Sequence, residues 1–284
     1  MHKNEYLAKM EKYWDETGKA YSQTHELFLL KNGIDNYKRG LELVDKKERL
    51  NLHEVATGGG LLADYIVSQD NKKFSQMVFA DLSDVMVKTT QERLNKLETD
   101  KSALDLTVAK GDCEELERFP ANHFNLILAN FVMQLIQNLD SVFKGIAHCM
   151  SEDGVFAISY FDKKETSSYH TYVMEIAQKH FKDMNKEKDV NLCLDDQLPL
   201  IIEKHGLYIA ERSVNNIIYD NSKADYKKFF RNYLLIFKHK YDMDDKTFEL
   251  VTKDIDETVE KIKANDEVIN IKAINIFVKK RKNK

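Results

Sequence analysis

The feature of this sequence that most constrains its fold is a regular alternation of short apolar runs with segments whose apolar residues recur every three or four positions. Five such runs occur in the first 162 residues, at 50–56, 76–81, 104–112, 123–130 and 154–161. Their apolar residues are nearly continuous, which is typical of strands buried on both faces of a parallel sheet. The sequence therefore predicts an α/β fold with helices on both faces of the sheet.

The regions around this alternation predict helical additions to one large domain. Residues 1–47 have helical periodicity and form a predicted N-terminal cap, whereas residues 48–162 form the predicted core. Residues 163–284 are assigned to the same domain, with cap helices at 223–240 and 247–263. No internal repeat or linker divides the chain.

Two further strands are predicted near the C-terminus, at 207–213 and 268–279. The apolar positions of the last strand change from odd to even numbers near residue 273, which predicts a β-bulge there. The motif SEDG at 151–154 predicts a turn before the fifth strand. An aromatic stripe at 226–237 is interpreted mainly as core, with one or two members lining a pocket.

Composition excludes several classes of protein. The chain has 43 Lys and Arg against 47 Asp and Glu, and this net charge of −4 disfavours a nucleic-acid partner. Three separated cysteines, Cys113, Cys149 and Cys193, predict neither a disulfide framework nor a metal site. Apolar stretches are shorter than a membrane span, and the first residues lack the pattern of a signal peptide. The predicted location is therefore the cytoplasm.

The chain has ten glycines, and three of them stand together in the sequence E-V-A-T-G-G-G. Glu54 ends the first predicted strand, and Ala56 and Gly58 allow a tight turn after it. Gly60 allows close packing where the next helix begins, whereas Gly59 has no predicted role. The start of that helix favours an anionic group of a ligand.

Carboxylates are predicted at the ends of the next two strands as well. Asp81 follows Glu54 by 27 residues and is placed to accept hydrogen bonds from the two hydroxyls of a ribose. Asp112 follows the third strand and reaches the same edge of the sheet. His53 occupies a strand position that is usually apolar, so we interpret it as a buried, hydrogen-bonded histidine.

These motifs together resemble those of the class I S-adenosylmethionine-dependent methyltransferases. The resemblance covers roughly residues 48–162, and the two closing strands match the expected end of the fold. It implies a Rossmann-like, doubly wound, mostly parallel seven-stranded sheet with an antiparallel last strand. It also implies S-adenosylmethionine as cofactor and S-adenosylhomocysteine as product. By this resemblance, the cofactor-binding residues are Glu54, Ala56, Thr57, Gly58, Gly60, Asp81, Leu82, Met86, Asp112, Cys113, Asn130 and Tyr21.

Two positions depart from the family pattern, since Ala56 replaces the first glycine and Glu54 replaces the commoner aspartate. Both changes are physically conservative. The Ala-Thr-Gly loop is similar to that of the ubiquinone and menaquinone C-methyltransferase branch.

A dinucleotide-binding protein is the main alternative, because Gly58, Gly60 and Ala63 fit its glycine spacing. Asp112 and the aromatic C-terminal region disfavour it. Two other interpretations stay open, a protein or RNA methyltransferase and a pseudoenzyme that binds the cofactor without turnover. The helical caps, the absence of a basic face and the lack of an appended recognition domain favour a small-molecule acceptor.

The sequence does not identify the catalytic base, the receiving atom of the acceptor or the oligomeric state. The candidates for a residue near the transferred methyl group are His25, Tyr21, Asn130, Gln134 and Tyr160. Each also has a structural interpretation: Tyr21 would cover the cofactor, Asn130 would cap a helix, and His25 would lie at a surface or interface.

Overall fold

The computed structural model describes residues 3–45, 49–162, 167–180, 194–219, 226–240 and 243–282. Cys193 and the beginning of the predicted helix 223–240 lie outside these residues.

The core of the molecule is one seven-stranded sheet with the strand order β3-β2-β1-β4-β5-β7-β6. Strands β1 to β5 pair in parallel, and β7 is antiparallel to both of its neighbours, β5 and β6. This arrangement confirms the predicted Rossmann-like, doubly wound fold. The strands are β1 (Leu50–Val55), β2 (Phe74–Asp81), β3 (Asp105–Lys110), β4 (Phe124–Asn130), β5 (Met150–Phe161), β6 (Leu207–Tyr219) and β7 (Ile269–Lys280).

Helices flank the sheet and form the caps. The first two are joined by a π-helical turn at Ser22–Glu26, and a 3-10 segment at Cys113–Arg118 follows β3. The α-helices are α1 (Lys3–Tyr21), α2 (Leu27–Leu43), α3 (Leu61–Asp70), α4 (Asp84–Asn95), α5 (Leu139–Cys149), α6 (Ser168–His180), α7 (Leu194–Lys204), α8 (Tyr226–Lys240) and α9 (Asp245–Ala264).

Each face of the sheet has its own apolar core. Helices α2 and α3 pack on one face, where Tyr37 and Ile66 are buried against Leu52. Helices α5 and α7 pack on the other face around Phe143 and Ile202. The near-continuous apolar strands follow from this double coverage, because both sides of each central strand are removed from water.

A third apolar cluster joins α6, α8 and α9 to the first residues of β7. Tyr226, Phe229, Phe230 and Leu234 are all buried in it. The aromatic stripe is therefore core wherever its side chains are described, as predicted.

Two local predictions were wrong. The register of β7 runs through Ala273 without a shift, and the bulge lies in its partner β6, between Ile209 and Glu211. The change of apolar positions in β7 arises because both faces of the strand are buried from Ala273 to Val278. The predicted turn at 151–154 is part of β5, which begins at Met150 and pairs with β4 through an irregular register.

Among the described residues, no helix combines the length and the apolar character needed to cross a membrane.

Candidate functional site

A cleft of about 840 Å³, partly open to solvent, lies at the carboxyl ends of the central strands. The strand order reverses between β1 and β4, which is where open α/β sheets bind ligands. The floor of the cleft comes from the strand ends and the loops after them, and α1 forms its roof. The predicted site residues that line it are Tyr21, Ala56, Gly58, Asp81, Leu82, Met86, Asp112, Cys113 and Asn130.

The glycine loop turns through left-handed backbone conformations. Ala56 has φ +52°, and Gly58 and Gly60 have φ +62° and +77°. Ala56 therefore occupies a conformation that glycine adopts more easily, which explains why the related pattern has glycine there. A Cβ atom on Gly60 would lie 2.7 Å from the Thr90 hydroxyl, so this glycine permits close packing as predicted. Gly60 itself does not line the cleft.

Asp81 connects the end of β2 to the glycine loop. Its Oδ2 atom accepts a hydrogen bond from the Gly58 amide at 2.9 Å, and its Oδ1 atom accepts one from the Ser83 amide at 3.0 Å. The side chain is only 7% exposed. Burial raises the pKa of Asp81 to about 6, against the opposing effect of these hydrogen bonds.

Glu54 lies beneath the loop rather than in the wall of the cleft. Its carboxylate accepts a hydrogen bond from the Thr57 hydroxyl at 2.8 Å. Burial, together with the neighbouring carboxylates of Glu26 and Asp81, raises the pKa of Glu54 to about 8. The floor of the cleft therefore concentrates carboxyl groups that a cationic ligand would stabilise in their charged form.

The remaining predicted contacts that line the cleft are Leu82, Met86, Asp112 and Cys113. Asp112 begins the 3-10 segment and accepts a hydrogen bond from the Glu114 amide at 2.8 Å. Leu82, Met86 and Cys113 provide apolar walls beside it. Ser83 caps the start of α4, because its side chain accepts a hydrogen bond from the Met86 amide.

The roof of the cleft was not predicted in detail. Tyr6, Met10 and Trp14 of α1 line it, and the Tyr6 hydroxyl donates to the Leu135 carbonyl at 2.7 Å. Asp15 accepts a hydrogen bond from the Ser83 hydroxyl at 2.6 Å, which fixes α1 to the start of α4. The helical stripe of aromatic residues in α1 was the only sequence signal for this role.

Glu26 was missed altogether. Its two carboxylate oxygens accept hydrogen bonds from the amides of Gly59 and Leu61 at 2.9 and 2.7 Å. The start of α3 is therefore occupied by a carboxyl group of the protein itself, and the prediction that it receives an anion of the ligand is corrected. A dinucleotide pyrophosphate would need these same amides, which argues against the dinucleotide-binding alternative.

Gly59 likewise has a role that the sequence pattern did not indicate. A Cβ atom there would lie 2.0 Å from the Ser22 hydroxyl and 2.6 Å from a Glu26 oxygen. Gly59 is therefore required by the approach of the N-terminal cap to the loop.

His25 is buried, in contrast to the surface or interface position considered for it. Its ring stacks on Phe229, with centroids 4.1 Å apart, and its Nε2 atom lies 3.0 Å from the Tyr169 hydroxyl. Burial, followed by the nearby His170, lowers the pKa of His25 to about 3. The ring is therefore neutral near pH 7, and it does not line the cleft.

The other candidates differ in their positions. Asn130 lines the cleft and accepts a hydrogen bond from the Asn36 amide at 3.1 Å, while Asn138, not Asn130, caps α5. Tyr160 packs in the core beside α7, and its hydroxyl donates to Asp195, away from the cleft. Gln134 donates to a backbone carbonyl at 2.6 Å and does not line the cleft.

His53 has the structural role that its position suggested. It is buried, its Nδ1 atom lies 2.9 Å from the Val78 carbonyl, and burial lowers its pKa to about 4.

The chemistry of the cleft fits S-adenosylmethionine. Asp81 and Asp112 place carboxylates at two strand ends, and Met86 adds an apolar surface to the lining. Trp14 and Tyr21 add aromatic rings, which attract cations such as a sulfonium. The bare backbone at Gly58 leaves room for close approach.

Comparison with known proteins supports the same conclusion. Residues 53–158 match the model of a family described as a methyltransferase domain. A search of curated protein sequences found no match.

Several solved structures share the fold at low sequence identity. The YcgJ protein from Bacillus subtilis is 12% identical, with a TM-score of 0.54 over 88% of this chain and 100% of that chain. A sarcosine dimethylglycine methyltransferase from Galdieria sulphuraria is 12% identical, with a TM-score of 0.51 over 88% of this chain and 85% of that chain. Phosphoethanolamine N-methyltransferase 2 from Haemonchus contortus, in complex with S-adenosyl-L-methionine, is 17% identical, with a TM-score of 0.55 over 95% of this chain and 60% of that chain.

The fold, the glycine loop with its acidic strand ends and the family match define a class I S-adenosylmethionine-dependent methyltransferase. The methyltransferase domain at residues 53–158 makes this chain an S-adenosylmethionine-dependent methyltransferase, with S-adenosylmethionine as its cofactor.

Proposed function

We propose that this enzyme transfers the methyl group of S-adenosylmethionine to a small-molecule acceptor. The observation that carries this proposal is the roof over the cleft. Helix α1 covers part of the cleft through Tyr6, Met10 and Trp14, and the narrowed opening suits a small molecule better than a folded protein or RNA.

The residues proposed to hold the cofactor are those that line the cleft at the strand ends. Asp81 is proposed to bind the ribose hydroxyls, Met86 to pack against the adenine, and Asp112 to accept from its amino group. Glu54 and Thr57 would support the loop from below, because their side chains are bonded to each other beneath it. Bound S-adenosylmethionine supplies a methyl group on a positively charged sulfur.

The side chains near the site favour catalysis by positioning. Burial raises the pKa of Tyr21 above its usual value, so its hydroxyl stays protonated and serves as a hydrogen-bond donor. Asn130 is uncharged, and His25 is neutral with a pKa of about 3, too low for an effective general base near pH 7. The chain would therefore contribute mainly by orienting the acceptor, excluding water and stabilising positive charge with carboxylates.

Ligand-dependent unfolding tests the cofactor, and transfer of label tests the acceptor. The midpoint of thermal unfolding should rise with S-adenosylhomocysteine and stay unchanged with NADH.

To test the acceptor, the protein is incubated with methyl-labelled S-adenosylmethionine and with size-separated cell extract. Label in the small-molecule fraction supports the proposal, whereas label only in protein or RNA contradicts it. Asp81→Ala protein is the control for label that does not depend on the site.

The ubiquinone and menaquinone branch, suggested by the Ala-Thr-Gly loop, stays a prediction about the acceptor. The division into a cap at 1–47, a core at 48–162 and a C-terminal part at 163–284 is also part of the proposal, as is a cytoplasmic location.

A further inference from the structure

The π-helical turn between α1 and α2 is the place where three parts of the molecule meet. Tyr21, the last residue of α1, lines the cleft. His25 enters the aromatic cluster of the C-terminal cap, between Phe229 and Tyr169. Glu26 reaches the glycine loop. One short segment therefore contacts the cofactor cleft, the second cap and the loop at the end of β1.

The wider turn of a π-helix explains how neighbouring residues reach such different places. If α1 continued into α2 as a regular α-helix, the residues after the junction would face different directions from those that they face now. A π-helical turn adds one residue, and such insertions often occur at functional sites. Here the turn spans Ser22–Glu26, and both Ser22 and His25 are buried.

The contact of Glu26 is built from several matched features. Its two oxygens accept from the amides of Gly59 and Leu61, at 2.9 and 2.7 Å. The Leu61 amide begins α3, where a negative charge is favoured by the helix dipole, and the Gly59 amide lies two residues before it. The absence of a side chain at Gly59 lets Ser22 and Glu26 approach the backbone.

The contact also lies directly behind the cofactor loop. Gly58, next to Gly59, lines the cleft, and its amide donates to Asp81. A shift of Glu26 would therefore disturb both the loop and Tyr21, which is five residues earlier at the end of α1.

We propose that Glu26 is a positioning residue for cofactor binding, which holds the glycine loop in its binding conformation and α1 over the cleft. This inference rests on the proposed function of the cleft. Glu26 acts through Gly58 and Tyr21, because it does not itself line the cleft.

Substitution of Glu26 gives the first test, with S-adenosylhomocysteine as the probe in isothermal titration calorimetry. Glu26→Ala leaves two amides without their acceptor and should weaken binding at least about tenfold. Glu26→Gln keeps one acceptor oxygen and should have an intermediate effect. Asp35→Asn is the matched control, because Asp35 is exposed on α2 and pairs there with Lys31. Sodium acetate should restore part of the affinity of Glu26→Ala, because a free carboxylate can occupy the vacated amides.

The single tryptophan of the chain gives a readout that needs no ligand. Trp14 lies in the roof of the cleft, so its fluorescence reports the position of α1. Glu26→Ala should shift the emission of Trp14 to longer wavelength, and acetate should reverse the shift. A residue with a merely structural role would lower the unfolding temperature without either change.

Gly59→Ala tests the same contact without removing Glu26. The new Cβ would press on Ser22 and Glu26, so it should reproduce the weaker binding and the emission shift. Gly33→Ala is its control, because a Cβ there meets Leu62 only at 3.5 Å, an ordinary contact.

The outcomes separate this inference from the proposed function. Failure of the wild-type protein to bind S-adenosylhomocysteine would contradict the function of the cleft, whatever Glu26 does. If the wild-type protein binds S-adenosylhomocysteine, and Glu26→Ala and Gly59→Ala bind it equally well or more tightly, Glu26 does not position the site and the inference is wrong.

Discussion

The Oδ2 atom of Asp81 accepts a hydrogen bond from the backbone amide of Gly58 at 2.9 Å, so the end of β2 holds the loop that follows β1. The two strands are neighbours in the sheet, with Val55 paired to Ala80. The same carboxylate lines the cleft, where the family resemblance places the cofactor ribose. One side chain therefore both shapes the loop and presents a carboxylate to the ligand.

Replacement of Asp81 by alanine should weaken cofactor binding by about 1–3 kcal/mol, because a buried, charged hydrogen-bond acceptor is lost. The dissociation constant of S-adenosylhomocysteine, measured by calorimetry, checks this expectation. Asp84→Ala is a suitable control, since Asp84 lies at the exposed start of α4 and pairs with Lys110. Unchanged affinity in Asp81→Ala would place the ribose elsewhere.

The buried carboxyls should make the ligand-free protein less stable as the pH rises. In the folded state the pKa of Glu54 is about 8 and that of Asp81 about 6, both above their ordinary values of 4.5 and 3.8. The folded state therefore binds protons more tightly than the unfolded state, and the free energy of unfolding falls between about pH 4 and pH 8. Thermal unfolding measured from pH 5 to pH 8.5 should show a midpoint that falls by several degrees.

Glu54→Gln is the matched variant for this pH effect. This variant removes the carboxyl group with the larger pKa shift, so the midpoint of thermal unfolding should fall less as the pH rises. An equally steep fall in the variant would show that the dependence arises elsewhere.

The left-handed backbone of the glycine loop leads to opposite expectations for two substitutions. Ala56→Gly should change stability by less than about 1 kcal/mol, because relief of strain at φ +52° offsets the greater freedom of glycine in the unfolded chain. Gly58→Val puts a β-branched side chain at φ +62° and should abolish cofactor binding. Circular dichroism would verify that both variants are folded, and calorimetry would measure binding. Normal binding by Gly58→Val would contradict the proposed place of the loop in the site.

Cys113 provides a chemical probe of the cleft. It lines the site and is partly exposed, whereas Cys149 is buried in the core. Burial raises the pKa of the Cys113 thiol, so iodoacetamide should modify it slowly near pH 7.5. S-adenosylhomocysteine should slow the reaction further, by about fivefold or more at saturation.

The labelling experiment uses a Cys193→Ser background, so that modification reports on the cleft, with mass spectrometry to identify the modified residue. NADH in place of S-adenosylhomocysteine serves as the control ligand. Equal rates with and without S-adenosylhomocysteine would mean that the cofactor does not cover Cys113.

The parallel core could be predicted from the sequence because its signals are local. The run from Leu50 to Val55, the glycine loop and the helical spacing of Leu62 and Ile66 lie within a few residues of one another. The bulge was misplaced because the burial of β7 depends on helices distant in sequence.

The cleft was predictable only on the side formed by strand ends. Asp81 and Asp112 follow apolar runs, and the topology of a parallel sheet brings such positions to one edge. Tyr160 also lies near the end of a strand, but its side chain packs on the face of the sheet covered by α7, where its hydroxyl donates to Asp195. Alternation along a strand decides which face a side chain occupies, and a near-continuous apolar run does not reveal it.

The sequence by itself determined the α/β core, the turn through Ala56 and Gly58 and the acidic strand ends, because backbone sterics and hydrophobic periodicity act over a few residues. Only the tertiary structure decided that Glu26 binds the amides of the loop and that α1 covers the cleft. Glu26 and Gly59 are 33 residues apart, and Tyr6 and Leu135 are 129 apart. Contacts over such separations depend on how the helices pack on the finished sheet, and no local pattern in the chain encodes them.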